Sequence, residues 1–194
     1  MRAGPLGIWG WRHVPEDLAD AARADSRITH PNIVCQEACA TLVLAVAHAV
    51  GTGEPPRAVY DTALTWARRW SRSPDVVAAL EAAATGGPAD FLSNQGWVLI
   101  GLQNAFYQLL HAESAEEGIV ATVMAGGDTD TNAAIAGALL GAVHGREAIP
   151  RQWRNLILSC RPLDSAPGVR RPRPAPFWPV DALELAELLL LTGG

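Results

Sequence analysis

Gly126-Gly127-Asp128-Thr129-Asp130-Thr131, followed without a break by Asn132-Ala133-Ala134-Ile135-Ala136-Gly137-Ala138-Leu139-Leu140-Gly141-Ala142-Val143-His144-Gly145, is the stretch on which the fold turns. Its first six residues form a bend carrying two carboxylates and two hydroxyls. The rest is a run of small and aliphatic residues with no full charge before His144. Paired glycines permit the left-handed backbone or close approach that a Cβ resists. Asp or Thr ahead of an apolar run marks a helix N-terminus, because their oxygens accept from orphan N–H groups. The reading is therefore a helix apolar on every side, buried, with Asp128 to Thr131 at its mouth.

Carboxylates entering a buried helix need backbone N–H groups or a cation to offset their desolvation. Residues i and i+2 diverge on a regular helix, but in a turn leading into one they can converge on an ion. Asp128, Asp130 and the Thr131 hydroxyl make an all-oxygen set, suited to Mg²⁺ or Mn²⁺ and unsuited to zinc. The plainer alternative is that one Asp only caps the helix, worth about 1 kcal/mol. Gly137 and Gly141, flanked by Ala134 and Ala138, lie where a neighbouring helix would approach. A Leu at Gly137 is expected to overpack that contact at a cost of about 1–3 kcal/mol.

The 194 residues are 49% hydrophobic with net charge −5, enough for one domain with a real core. No basic stripe interleaved with aromatics suggests a nucleic-acid partner. The one basic cluster, Arg170 to Arg173, lies among prolines and reads as solvated. The most apolar run, Ala40 to Val50, is shorter than the ~20 residues a membrane span needs, so no membrane partner is expected. Cys35, Cys39 and Cys160 are an odd count in a chain without secretion features, which predicts reduced thiols and a cytoplasmic protein. Cys35 and Cys39 read as packing.

Along the chain, residues 1–14 carry Gly4-Pro5, Gly7 and Gly10 and read as an extended entry. Helices are predicted over Pro15–Arg27, Ile33–Val50 (ended by Gly51), from Pro55-Pro56, Ser73 to about Thr85, Asn94–Ala112, Ala115–Met124 and Ile149–Cys160. Each opens on proline or a polar capping residue where one is present. Ser114 to Glu117 reads as a capping box. Six prolines between 161 and 179 make a loop, and Val180–Leu191 is a last helix whose leucines must dock. Nothing alternates at period two, so the class is all-α.

These residues resemble the ADP-ribosyl-glycohydrolases, the group typified by dinitrogenase-reductase-activating glycohydrolase. The resemblance is carried by Gly-Gly-Asp-Thr-Asp-Thr and its small-residue helix. Met1 to Gly7, Ser26 to Pro31 (with Thr29-His30) and Gly96-Trp97-Val98 support it, in the same order along the chain. It covers about residues 1–160, leaving the 161–179 loop and a terminal segment 180–194 expected to dock on the same domain. The resemblance implies a compact multi-helix orthogonal bundle and two Mg²⁺ ions (Mn²⁺ as a substitute). It implies removal of ADP-ribose from a modified protein or small molecule at the ribose anomeric carbon. By motif, Asp128, Asp130 and Thr131 would hold metal, while His30, Gly126 and Gly127 would touch substrate. His30 reads equally well as a helix C-terminal cap.

In the family a second acidic motif and a glycine loop precede the segment matching Met1. The expectation is therefore a chain lacking the N-terminal helices and the catalytic acid, with apolar surface that favours dimerisation. Two other readings remain: an inactive ADP-ribose-binding or scaffolding remnant, and a haloacid-dehalogenase-type phosphatase. The second needs Ile119 to Ala125 to be a strand before the Asp-x-Asp.

Overall fold

Proline and glycine set most of the helix boundaries. In the computed structural model, which describes residues 1–193, ten α-helices follow one another: α1 Gly4–Trp9, α2 Pro15–Arg27, α3 Ile33–Thr52, α4 Pro56–Trp70, α5 Pro74–Ala83, α6 Val98–His111, α7 Ala115–Met124, α8 Thr129–His144, α9 Arg151–Leu158 and α10 Ala182–Thr192. No strand occurs among the described residues. The class is all-α, and Ile119 lies inside α7, which removes the sheet that the phosphatase reading requires.

Proline stands in the first turn of α1, α2, α4 and α5, where its missing N–H has no helical partner to lose. Asn32 caps α3 by accepting from the Val34 N–H at 2.8 Å. Ser114 accepts from the Glu117 N–H at 3.1 Å, while Glu117 reaches back one residue further than a capping box requires, to the Glu113 N–H.

Three of the boundary differences from the sequence reading have a visible cause. Residues 4–9 are helical, because Gly7 serves packing: a Cβ there would lie 2.7 Å from Val46 and 2.9 Å from the Val43 carbonyl. The third helix runs through Gly51 to Thr52 and stops at Gly53, whose φ of 65° is the left-handed cap. The sixth helix starts at Val98, since Gly96 (φ 79°) turns the chain first.

The helix α3 is the hub, touching α1, α2, α4, α5, α6 and α8. Leu42 and Val46 face the larger core with Phe106, Leu80, Leu139 and Val59. Val43, Leu44 and Ala47 face a second cluster with Leu18, Ala19 and Ala22. Each large side chain so buried stabilises by about 1.5–3 kcal/mol. By length and composition α3 would pass for a membrane span, but 67% of its most apolar window is buried inside the bundle.

Beside it, Arg23 forks onto Glu37 with two 2.9 Å bonds and reaches Asp20 at 2.8 Å. Hydrogen bonding to Glu37 raises the Arg23 pKa further, against the opposing effect of burial. Glu37 is 1% exposed, so this pair keeps a buried carboxylate neutralised.

α8 is not buried on every side. Ala134 is exposed and a Cβ at Gly141 would meet open space. A Cβ at Gly137 would rest at an ordinary 3.5 Å from Ile119, so these glycines are not the points of close approach. Those lie on the partners, at Gly101 of α6 and Gly118 of α7. The last helix packs on α1, with the Trp11 indole donating to the Leu190 carbonyl at 3.1 Å. Of the leucines expected to dock, Leu183, Leu185, Leu188, Leu190 and Leu191 are exposed. The stripe turned inward is instead Ala182, Ala186 and Leu189.

These contacts separate two kinds of glycine. Gly7→Ala should destabilise the fold by about 1–3 kcal/mol through overpacking. Gly141→Ala should stabilise it by about 0.4–1 kcal/mol through the unfolded chain. Urea unfolding of both variants checks the opposite signs.

Candidate active site

The acidic bend is held in place by the helix it opens. α8 packs on both α6 and α7, and the intimacy of each contact is set by a missing side chain. A Cβ at Gly101 would lie 2.9 Å from Ile135 Cδ1 and 3.2 Å from Asn132 Oδ1. One at Gly118 would lie 2.7 Å from Leu140 Cδ1. A buried polar layer ties α6 to α7: the Asn104 amide donates to Thr122 Oγ1 at 2.9 Å, and that hydroxyl donates to the Gly118 carbonyl at 2.7 Å. The first turn of α8 is thereby fixed in position along its own axis.

Ahead of it, Gly126 and Gly127 adopt φ of 82° and 69°, a succession that side chains resist. Gly127 has a second reason to be glycine, because a Cβ there would run into the Phe91 carbonyl. Asp128 occupies the N-cap, yet its side chain accepts no capping bond. Its carbonyl takes the Asn132 N–H at 3.0 Å and starts the helix. Asp128 and Thr131 are half-buried and Asp130 is exposed. Among the described residues, neither carboxylate takes part in a hydrogen bond or an ion pair. Every pairing found for an arginine elsewhere, such as Arg154 on Glu147 at 2.7 Å, leaves this bend untouched.

A loop from Gly86 to Trp97 lies against the bend. Gln103 donates to the Gly86 carbonyl at 3.1 Å and anchors the loop to α6. Asp90 Oδ1 accepts from the Leu92 N–H at 2.7 Å and the Ser93 N–H at 3.1 Å, an Asx turn that shapes the segment meeting Gly126 and Gly127. At the far end of the loop, a Cβ at Gly96 would sit 3.4 Å from Asp128 Oδ2, so that carboxylate lies against bare backbone.

This all-α bundle, with its acidic bend at the mouth of α8, has relatives among known proteins. The ADP-ribosylglycohydrolase sequence profile matches residues 1–172. The chain belongs to the ADP-ribosylglycohydrolase family. It is 28% identical over 159 residues to ADP-ribosyl-[dinitrogen reductase] glycohydrolase of Rhodospirillum rubrum, covering 79% of this chain and 47% of that protein. Among solved structures, an "ADP-ribosylglycohydrolase-related protein complex" shares the fold with a TM-score of 0.75 at 24% identity, over 97% of this chain and 57% of that one. The chain thus spans about half the length of these relatives.

Within this ADP-ribosylglycohydrolase chain, the structure brings Gly126, Gly127, Asp128, Asp130 and Thr131 into one bend and first helical turn. His30 is exposed in the link between α2 and α3, where its Nδ1 lies 2.8 Å from Thr29 Oγ1 and its carbonyl accepts from Ser26. No hydrogen bond among the described residues ties it to the bend. Asp90, Phe91 and Leu92 were not picked out from the sequence, although Asp followed by a polar residue three positions on is an Asx-turn signal.

Oxygen atoms from two carboxylates and a hydroxyl fit a hard divalent ion, and their lack of protein partners leaves them available to one. They would fill about half of an octahedral shell. Among the described residues no group of three His, Cys, Asp or Glu side chains gathers around a common point. The rest of any shell must come from water or from groups outside these residues.

The loop carries its own pH signature. Hydrogen bonds from Ser93 and from the Leu92 and Ser93 N–H groups lower the Asp90 pKa from its ordinary value of 3.8. A depressed carboxylate stays ionised below its unfolded value, so the turn it makes is present above pH 3.8 and lost as pH falls through the folded pKa. The Leu92 amide resonance should titrate with a midpoint below pH 3.8. A midpoint at or above 3.8 would contradict the Asx turn.

Proposed function

We propose that this chain carries the C-terminal half of a Mg²⁺-dependent ADP-ribosyl hydrolase site, acting on an ADP-ribosylated protein or small molecule. The observation that carries the reading is the pair of unpartnered carboxylates, Asp128 and Asp130, at the mouth of α8. Family membership supports the reaction class, and the named activity of the Rhodospirillum rubrum relative supports an ADP-ribosyl substrate.

Asp128, Asp130 and the Thr131 hydroxyl would hold the metal. A bound Mg²⁺ supplies charge that orients ribose hydroxyls or lowers the pKa of a water. The chain's own contribution is positional. The Gly127 N–H donates to no protein acceptor among the described residues and can meet a substrate oxygen, with Gly126 keeping that approach free of a side chain. The Phe91 backbone holds Gly127 from behind. Asp128 and Asp130 are poor proton acceptors once metal-bound, so the general base that completes glycosidic displacement comes from a different carboxylate. Exposed Leu92, Val123 and Met124 on the elements flanking the bend support an opposite wall contributed by further polypeptide, whether in the same chain or a second copy.

A second reading is ADP-ribose binding without hydrolysis, favoured by there being only two carboxylates in the bend. Assay of Mg²⁺-dependent ADP-ribose release from ADP-ribosyl-arginine and ADP-ribosyl-serine peptides decides between them. In active protein, Asp130→Ala should reduce release on the order of 100-fold or more while helicity is unchanged. Release that survives the substitution refutes the metal role, and ADP-ribose binding without release in the unsubstituted protein selects the second reading. For these 194 residues alone, calorimetric titration should show weak Mg²⁺ binding at best, because about half the shell is water; tight stoichiometric binding would contradict the assignment.

A further inference from the structure

A cavity of about 270 Å³ opens between the α1–α2 link, the C-terminal end of α3 and α4. None of its lining residues belongs to α6, α7, α8 or the acidic bend, so it is separate from the site proposed above. Its floor is apolar, built from Leu18, Leu44 and Ala47, and two indoles, Trp11 and Trp66, stand among its walls. Its volume exceeds the roughly 150 Å³ cavity that admits benzene and matches a fused bicyclic ring.

Both indoles are fixed before any ligand arrives. Trp11 Nε1 donates to the Leu190 carbonyl at 3.1 Å, which pins its edge to α10. Trp66 stacks on Trp70 with centroids 6.0 Å apart and meets the edge of His48 at 5.5 Å. Aromatic walls held this way lose little entropy on binding a flat ring.

The polar groups around the opening set the sign of the ligand's charge. The Arg12 guanidinium lies over the Trp11 ring, 4.2 Å from its centroid. Arg12 is exposed and forms no ion pair among the described residues. The nearby carboxylate, Glu54, is already engaged by His48 Nε2 at 2.7 Å. His13 Nδ1 is buried with no partner. The exposed Arg12 charge is thus complementary to an anion and disfavours a cation.

We infer that this cavity is a binding site for a flat bicyclic ring bearing one carboxylate or phosphate, the ring lying between the indoles and the anion on Arg12. The experiment uses the indole N–H resonances of the ¹⁵N-labelled protein, one for each of its seven tryptophans, assigned by single Trp→Phe changes. Indole-3-acetate should shift Trp11 and Trp66 saturably and leave Trp97, beside the acidic bend, unmoved. Its uncharged counterpart 3-methylindole should bind about ten-fold more weakly. Arg12→Gln should erase that difference without altering the affinity for 3-methylindole, a readout that general loss of structure would not give. Absence of saturable shifts at Trp11 and Trp66, shifts at Trp97 in their place, or equal affinities for the two probes would overturn the proposal.

Discussion

Ile135 and Leu140 of α8 press into spaces that exist only because α6 and α7 carry glycine opposite them. That mutual fit is the constraint on which the acidic bend depends. A helix of small residues has little side-chain bulk with which to key its position, so backbone approach at Gly101 and Gly118 does the keying. The buried Asn104–Thr122 bond then holds those two neighbours to each other. The bend inherits its place from this three-helix contact, and Gly127 against Phe91 closes it from the other side.

Charge is distributed to the same end. The molecule pairs Glu37 with Arg23 in the interior and Glu147 with Arg154 at the surface. Asp128, half-buried against the Gly96 backbone, receives no such partner. An unneutralised carboxylate held partly out of water is costly unless a cation completes it. Glu37 is neutralised in the interior while Asp128 is not, and that contrast is what the proposed metal role of the bend rests on.

Much of this was legible in the sequence, for reasons that are local. Proline in a first turn, Asn32 and Ser114 as caps, and the absence of period-two alternation all act within a few residues, and they placed most helices. The Gly-Gly bend and its acids were equally readable. What escaped was non-local. Gly7 looks like a breaker until Val46 is seen against it, and α1 was lost with it. Gly137 and Gly141 draw the eye as a small-residue stripe, yet the close approaches belong to Gly101 and Gly118, whose partners lie on another helix. The leucines of α10 suggest a buried face, but the helix docks along its alanines. His30 was tied to the site by resemblance alone, because no local pattern connects the α2–α3 link to the bend.

The central claim, that the bend grips a divalent ion, is tested most directly with Mn²⁺ as a paramagnetic substitute for Mg²⁺. Amide resonances of Gly96, Gly127 and Thr131 should broaden first as Mn²⁺ is added, and excess Mg²⁺ should restore them. In the Asp128→Asn, Asp130→Asn double variant they should persist. Broadening that begins elsewhere in the molecule, or that is the same in the double variant, would contradict the account.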